Sequence, residues 1–156
     1  EWHEVRVDID PGVQPDVIAS LTDMAAVAGE FADAIWSSHN IEHLFAHEVP
    51  LAFLEFYRVL KSGGFVLATM PDLQRVAEAV AQGNLEETLY VSPAGPIAAL
   101  DILYGHRAAI ARGNFFMAHK TGFTNATLGQ KFVVAGFVNV QVQRRDLALW
   151  AIAYKP

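Results

Sequence analysis

Carboxylates follow two apolar segments of the sequence, in positions where a ligand could reach them. Asp8 and Asp10 end the alternating segment that starts at Val5, and Asp23 follows a second short apolar segment. In open parallel sheets, ligands bind at the carboxyl ends of the strands. A carboxylate there can accept hydrogen bonds from both hydroxyls of a ribose. These carboxylates are therefore candidate ligand-binding groups, and the alternative for each aspartate is a turn or a helix cap.

A second group of reactive side chains lies in His39-Asn40-Ile41-Glu42-His43, which matches the H-x-x-E-H pattern of zinc hydrolases. That chemistry needs both histidines on one face of a continuous helix, whereas here the pattern directly follows an apolar strand. We therefore predict no metal site and expect Glu42 and His43 to secure the loop by hydrogen bonds. His106 and His119 are expected on surface loops, with a substrate-site role as the alternative.

Composition narrows the class of protein. The chain has 156 residues, 53% hydrophobic and 18% charged, which is typical of one well-buried domain. A net charge of −6 makes nucleic acid an improbable ligand. No apolar run is long enough to span a membrane, and the absence of cysteine fits a cytoplasmic setting. We therefore expect a small-molecule substrate and no nucleic-acid or membrane partner. The oligomeric state is not specified.

Strands alternate with helices along the chain, which predicts an α/β fold. The predicted strands are 5–9, 16–21, 33–38, 65–70, 137–143 and 147–154. The predicted helices are 48–60, 72–82, 97–111 and 124–135, with a single helical turn within 24–29. Pro50, Asp72 and Thr124 mark three of the helix starts, because each suits a cap or a first turn. The short polar connection 144–146 predicts a terminal antiparallel hairpin.

Four segments, in this order, resemble class I S-adenosylmethionine-dependent methyltransferases. They are VRVDID at 5–10, LTDM at 21–24, FADAIWSSHNIEHL at 31–44 and EFYRVLKSGGF at 55–65. The last two are the most specific, and Ala135-Gly136-Phe137 before the final hairpin also fits. The resemblance covers nearly the whole chain and is weakest over 84–123. It implies a Rossmann-like sheet that is mostly parallel and ends in an antiparallel hairpin.

The resemblance also implies a cofactor, S-adenosylmethionine, and residues that bind it. The acidic strand end would accept the ribose hydroxyls, the loop after the second strand would hold the adenine, and the third strand's tip would face the methionine part. The implied cofactor-binding residues are Asp8, Asp10, Asp23, Met24, Ser38 and His39. His39 is the best candidate for a general base, although the catalytic residues stay unassigned.

One part of the family pattern is missing. The family's first strand and glycine-rich turn precede the strand that ends at Asp8, and nothing in this sequence supplies them. We therefore expect a single N-terminally truncated domain, 1–156, with 84–123 as a substrate-covering insertion. Without the first strand, the sheet must leave a gap or pair the strands at 5–9 and 33–38 directly. The chain alone is then expected to bind the cofactor poorly and to be marginally stable or prone to aggregate.

Three functions follow from these observations. The leading hypothesis is an enzyme that transfers a methyl group from S-adenosylmethionine to a small molecule. The first alternative is a non-catalytic methyltransferase-like domain that acts through protein contacts. The second is a zinc hydrolase built on His39, Glu42 and His43.

Overall fold

Eight strands and five helices organise the computed structural model, which describes residues 1–156. The strands are β1 (Val7–Asp8), β2 (Val17–Ile18), β3 (Ala32–Ser38), β4 (Leu60–Pro71), β5 (Thr88–Ser92), β6 (Gly95–Ala98), β7 (Val138–Arg145) and β8 (Ala148–Tyr154). The helices are α1 (Val49–Val59), α2 (Leu73–Ala81), α3 (Ala99–Tyr104), α4 (Arg107–Ala111) and α5 (Asn125–Val134). Short 3-10 helices span Pro11–Val13, Ile41–His43 and Phe115–Met117.

Four strands form the main sheet, in the order β3–β4–β8–β7. The pair β3 and β4 is parallel, and β8 is antiparallel to both of its neighbours. Residues 33–38 and 65–70 therefore lie in one sheet, and the expected terminal hairpin is confirmed. The expectation of a mostly parallel sheet is wrong, because two of the three pairings in this sheet are antiparallel and β1 and β2 pair only with each other.

A gap separates β1 from β3. The parallel pair of β1 and β2 forms its own two-stranded ribbon, so one edge of β3 pairs with β4 and the other edge pairs with no strand. Direct pairing of the strands at 5–9 and 33–38 is not observed. The ribbon stays attached because apolar side chains such as Val7, Val17 and Leu21 pack against the core.

Helices α1 and α5 cover one face of the sheet and build the main core. Phe53 of α1 stacks on Phe132 of α5 with ring centroids 4.2 Å apart. Both rings are fully buried, as are the sheet residues Val66 and Ala151. The helices predicted over 48–60 and 124–135 are thereby confirmed. Helix α1 ends earlier than predicted, since Leu60 is already extended and continues directly into β4.

Residues 84–123 differ most from the prediction. The expected helix over 97–111 is wrong at both its start and its middle. Residues 95–98 instead form β6, the second strand of an antiparallel hairpin that turns at Pro93 and Ala94. Gly105, with φ of +99°, then separates α3 from α4. The single helical turn expected in 24–29 is likewise replaced by hydrogen-bonded turns.

An ion pair with a buried carboxylate stabilises this region and should make its stability depend on pH. Asp101 is 5% exposed and accepts hydrogen bonds from the Arg107 side chain at 2.7 and 3.0 Å. Burial alone would raise the pKa of Asp101, but hydrogen bonds from Arg107 and from the Ala98 and Arg107 amides hold it at about 2. The pair therefore stabilises the fold above the ordinary pKa of 3.8 and loses that contribution as the pH falls through 2.

Asp101→Asn is accordingly expected to flatten the dependence of the unfolding free energy on pH below 4. Urea unfolding at several pH values between 2 and 5 measures this slope. Asp33→Asn is the matched control, because Asp33 pairs with Lys61 at an exposed site. An equal change of slope in both variants would contradict the assignment to Asp101.

Candidate functional site

The gap beside β3 is a cavity of about 1240 Å³. Its walls come from residues 1–8, the inner edge of β3 and the side of α1 that faces the ribbon. Sixteen of its 25 lining residues are hydrophobic, among them Leu21, Phe31 and Phe56. Asp8 and Ser37 are among the polar lining residues. A mainly apolar cleft with a few polar groups at its rim is the usual form of a small-molecule site.

Asp8 lies where β1 ends, on the wall of the cavity. Its Oδ1 accepts the amide N–H of Asp10 at 2.8 Å, and its Oδ2 accepts no hydrogen bond from the protein. Asp10 is not on the cavity wall. Its Oδ1 accepts the N–H of Gly12 at 2.7 Å and so caps the 3-10 helix that begins at Pro11. The structure thus leaves Asp8 an oxygen for a ligand and gives Asp10 a capping role.

Helix α1 fixes the loop that carries Asp23 and Met24. Glu55 Oε2 accepts the N–H of Met24 at 2.7 Å. Arg58 donates to the carbonyl oxygens of Met24 and Val27 at 2.8 and 2.9 Å, and to Glu55 at 2.6 and 2.8 Å. The hydrogen bond from Arg58 lowers the pKa of Glu55 against the effect of its burial, so the carboxylate stays charged. We call Glu55 and Arg58 the loop clasp.

The two predicted ligands in that loop differ in their exposure. The Met24 side chain is 4% exposed, belongs to the core and lines the cavity. Asp23 is exposed and lies off the cavity wall, and its Oδ1 accepts the N–H of Ala25 at 3.1 Å. Asp23 therefore makes a local turn contact, and a ligand in the cavity would meet Met24 first.

The tip of β3 turns sharply at His39, whose φ is +53°. Ser38 Oγ lies 3.0 Å from Thr69 Oγ1 of β4, so this hydroxyl is already paired within the sheet. His39 Nδ1 lies 3.1 Å from Glu42 Oε1, and this hydrogen bond raises the pKa of His39 against the lowering effect of burial. Neither residue lines the cavity, whereas their neighbours Ser37 and Asn40 do.

The structure also brings His119 to Glu42 and His43, a contact that the sequence did not indicate. Glu42, His43 and His119 place their ligand atoms within 4.8 Å of one another. The H-x-x-E-H interpretation is wrong as stated, because residues 41–43 form a single 3-10 turn and His39 is not in this group. His119 is partly buried against His43 instead of lying on a surface loop, and burial lowers its pKa.

Comparisons with known proteins agree with the fold. A family model described as a methyltransferase domain matches residues 5–68. A search of curated proteins gives no match. No helix of the structure is long and apolar enough to cross a membrane.

Three solved structures illustrate the structural likeness. A possible exported protein of Bordetella parapertussis is 16% identical with a TM-score of 0.60, and the match covers 96% of this chain and 52% of that one. A SAM-dependent methyltransferase of Archaeoglobus fulgidus is 12% identical with a TM-score of 0.58, over 96% of this chain and 74% of that one. An O-methyltransferase family protein of Burkholderia thailandensis is 14% identical with a TM-score of 0.55, over 88% and 34%.

At these identities the structural likeness concerns the fold, and the chain spans about half of the Bordetella protein and a third of the Burkholderia protein. The predicted resemblance to class I S-adenosylmethionine-dependent methyltransferases is confirmed, for the sequence over residues 5–68 and for the fold over nearly the whole chain. The roles of the individual site residues and of the segment 84–123 stay predictions.

Proposed function

We propose that the chain carries the S-adenosylmethionine-binding side of a methyltransferase that modifies a small molecule. The observation that supports this most directly is the carboxylate of Asp8 on the wall of the cavity, with one oxygen unpaired. A carboxylate at a strand end can accept ribose hydroxyls. The matched family model and the Archaeoglobus structure make S-adenosylmethionine the cofactor to expect.

The cofactor would lie at the mouth of the cavity, beside the carboxyl ends of β1 and β3. In this arrangement Asp8 accepts the ribose hydroxyls, and the clasped loop at Asp23 and Met24 borders the adenine. Ser38 and His39 lie near the methionine part. Asp10 supports the strand end through its cap on Gly12. The family's first strand and glycine-rich turn would occupy the gap between β1 and β3.

When bound, the cofactor supplies a methyl group on a sulfonium, which is a good electrophile without further activation. The protein then has to align the acceptor with the methyl group and exclude water, which is catalysis by proximity. His39 is the candidate for the general base if the acceptor must lose a proton. Its partner Glu42 would orient the imidazole. Segment 84–123 would cover the acceptor, and the chain's negative charge favours a small molecule over nucleic acid.

The ribose role of Asp8 can be tested by substitution. Asp8→Ala is expected to weaken S-adenosylhomocysteine binding by about 10-fold or more, since the loss of one acceptor for a buried polar group costs about 1–3 kcal/mol. Titration calorimetry measures this on the protein as encoded, including any residues before Glu1. Asp16→Ala is the control, because Asp16 pairs with Arg6 next to the ribbon but is not on the wall of this cavity. Equal losses in both variants would remove the role from Asp8.

A further inference from the structure

The group of Glu42, His43 and His119 is assembled by backbone contacts between two distant segments. The amides of Lys120 and Thr121 donate to the carbonyl oxygen of Glu42 at 2.9 and 3.2 Å. These bonds bring residues 118–121 against the 3-10 turn that follows β3. The His43 and His119 rings then meet edge to face, with centroids 4.9 Å apart. The cluster is therefore a built feature of the fold.

Hydrogen bonds to the backbone set the tautomer of both histidines. His43 Nδ1 lies 3.1 Å from the carbonyl oxygen of Ala118, and His119 Nδ1 lies 2.6 Å from that of Ile102. A carbonyl oxygen only accepts, so each Nδ1 must carry the proton and donate it. The Nε2 atom of each neutral ring is then left with a lone pair. Metal-binding histidines are held in this way, with the second ring nitrogen donating to a carbonyl or carboxylate.

Glu42 completes the group with an unsatisfied carboxylate oxygen. Its side chain is 1% exposed, and Oε2 is a buried side-chain atom with no hydrogen-bond partner. The other oxygen, Oε1, is engaged by His39 Nδ1 at 3.1 Å. A buried carboxylate oxygen without a partner is costly, and lone pairs on two nearby imidazoles add to that cost. A cation at the centre of the three groups would relieve both costs.

We propose that Glu42, His43 and His119 bind a divalent transition-metal ion, with Zn²⁺ as the best fit to this ligand set. Two imidazoles and one carboxylate with an open fourth position are a known catalytic type of zinc site. Ligands of a tetrahedral zinc ion lie about 3.3 Å apart, so atoms that are now up to 4.8 Å apart would close by up to about 1.5 Å. His39 would orient the Glu42 carboxylate from outside the coordination sphere.

The site goes beyond the proposed methyl transfer and does not depend on it for binding. The cluster lies close to the tip of β3, because His39 at that tip contacts Glu42 directly. If the proposed function holds, an oxygen of the methyl acceptor could coordinate there and lose its proton more readily, as metal-bound water does.

The test measures the metal alone. Calorimetric titration of the purified, chelator-treated protein with Zn²⁺ is expected to show one bound ion, and Co²⁺ is expected to give visible absorption bands of a low-symmetry site. Changes to residues that only hydrogen-bond to metal ligands typically lower the metal affinity by roughly 10–100-fold. Glu42→Gln and His119→Ala should each lower the Zn²⁺ affinity by more than this. His39→Ala should lower it within that range, and the exposed His47→Ala should leave it unchanged.

Three outcomes would overturn the proposal. They are a stoichiometry well below one, equal affinity in Glu42→Gln and the unsubstituted protein, or equal losses in His47→Ala and His119→Ala. Either of the first two outcomes would mean that the cluster shares protons between Glu42 and the histidines and does not bind a metal ion. Melting curves without metal show whether each variant folds. Glu42→Gln keeps the shape of the side chain, so it tests the charge even if His119→Ala is unstable.

Discussion

Gly105→Ala is expected to lower the free energy of unfolding by about 4 kcal/mol, a large fraction of the stability of a domain of this size. Gly105 has φ of +99° and ψ of 165°, a conformation that side-chain-bearing residues rarely adopt. A Cβ there would overlap the carbonyl oxygen of Met117 and lie 2.8 Å from Ala118 Cα. The backbone of α3 and the segment before His119 can approach this closely only without a side chain.

Urea unfolding measures the loss, and Gly113→Ala supplies the control. Gly113 also has a positive φ, +93°, but a Cβ added to it would have no neighbouring atom within 4 Å. The control isolates the conformational cost, about 1–2 kcal/mol. Because the N–H of His119 donates to Tyr104 next to Gly105, the substitution should also displace His119 and weaken Zn²⁺ binding. Equal destabilisation by both substitutions would show that the close approach is unimportant.

Arg58→Met is expected to weaken S-adenosylhomocysteine binding by about 100-fold and stability by about 2–3 kcal/mol, as the loss of charge-assisted hydrogen bonds predicts. Arg58 keeps the loop at Met24 and Val27 in place through two carbonyl contacts. Without the guanidinium, Glu55 would remain as a partly buried carboxylate, and the Met24 amide would be its only hydrogen-bond donor. The loop would then be less ordered in the free protein, and ordering it on binding would weaken the affinity for S-adenosylhomocysteine.

The control for the loop clasp is Arg75→Met. Arg75 pairs with Glu78 at the same spacing along a helix, with side chains 54% and 44% exposed, so the pair should contribute little. Calorimetry and urea unfolding on both variants separate a role in the loop from a general effect of losing an arginine. Unchanged cofactor affinity in Arg58→Met, together with lower stability, would make the clasp purely structural.

The helices and strands that were predicted correctly each carry two sequence features that indicate the same structure. Helix α5 has both a capping residue, Thr124, and a buried stripe that includes Leu128 and Phe132. Strand β3 is apolar in its middle and bounded by polar residues. In residues 95–98, by contrast, proline and small residues gave no clear period, and β6 forms because it pairs with β5. Gly105 inside the predicted helix was the one local sign of a break.

The sequence predicted those residues of the candidate site that lie at strand ends. It did not predict the residues that come together only when distant segments of the chain fold against each other. Asp8 lies at a strand end on the cavity wall, as its position in the sequence indicated. His43 and His119 are far apart in the sequence, and only the backbone contacts of residues 118–121 bring them together. Asp8, Asp10 and Asp23 each accept the backbone N–H of the residue two positions further along the chain, a local contact that the sequence also allowed.

The separate ribbon of β1 and β2 also bears on how the molecule fluctuates. Two strands alone are marginal in water, and this pair is held by few bonds, such as those from the amides of Val17 and Ala19 to residues 6 and 8. Segments with so few protected amides open locally at lower cost than the core. The ribbon would thus exchange its amide protons through its own local opening, independently of global unfolding. A ligand that orders Asp8 would first lower the hydrogen-exchange rates of the ribbon amides.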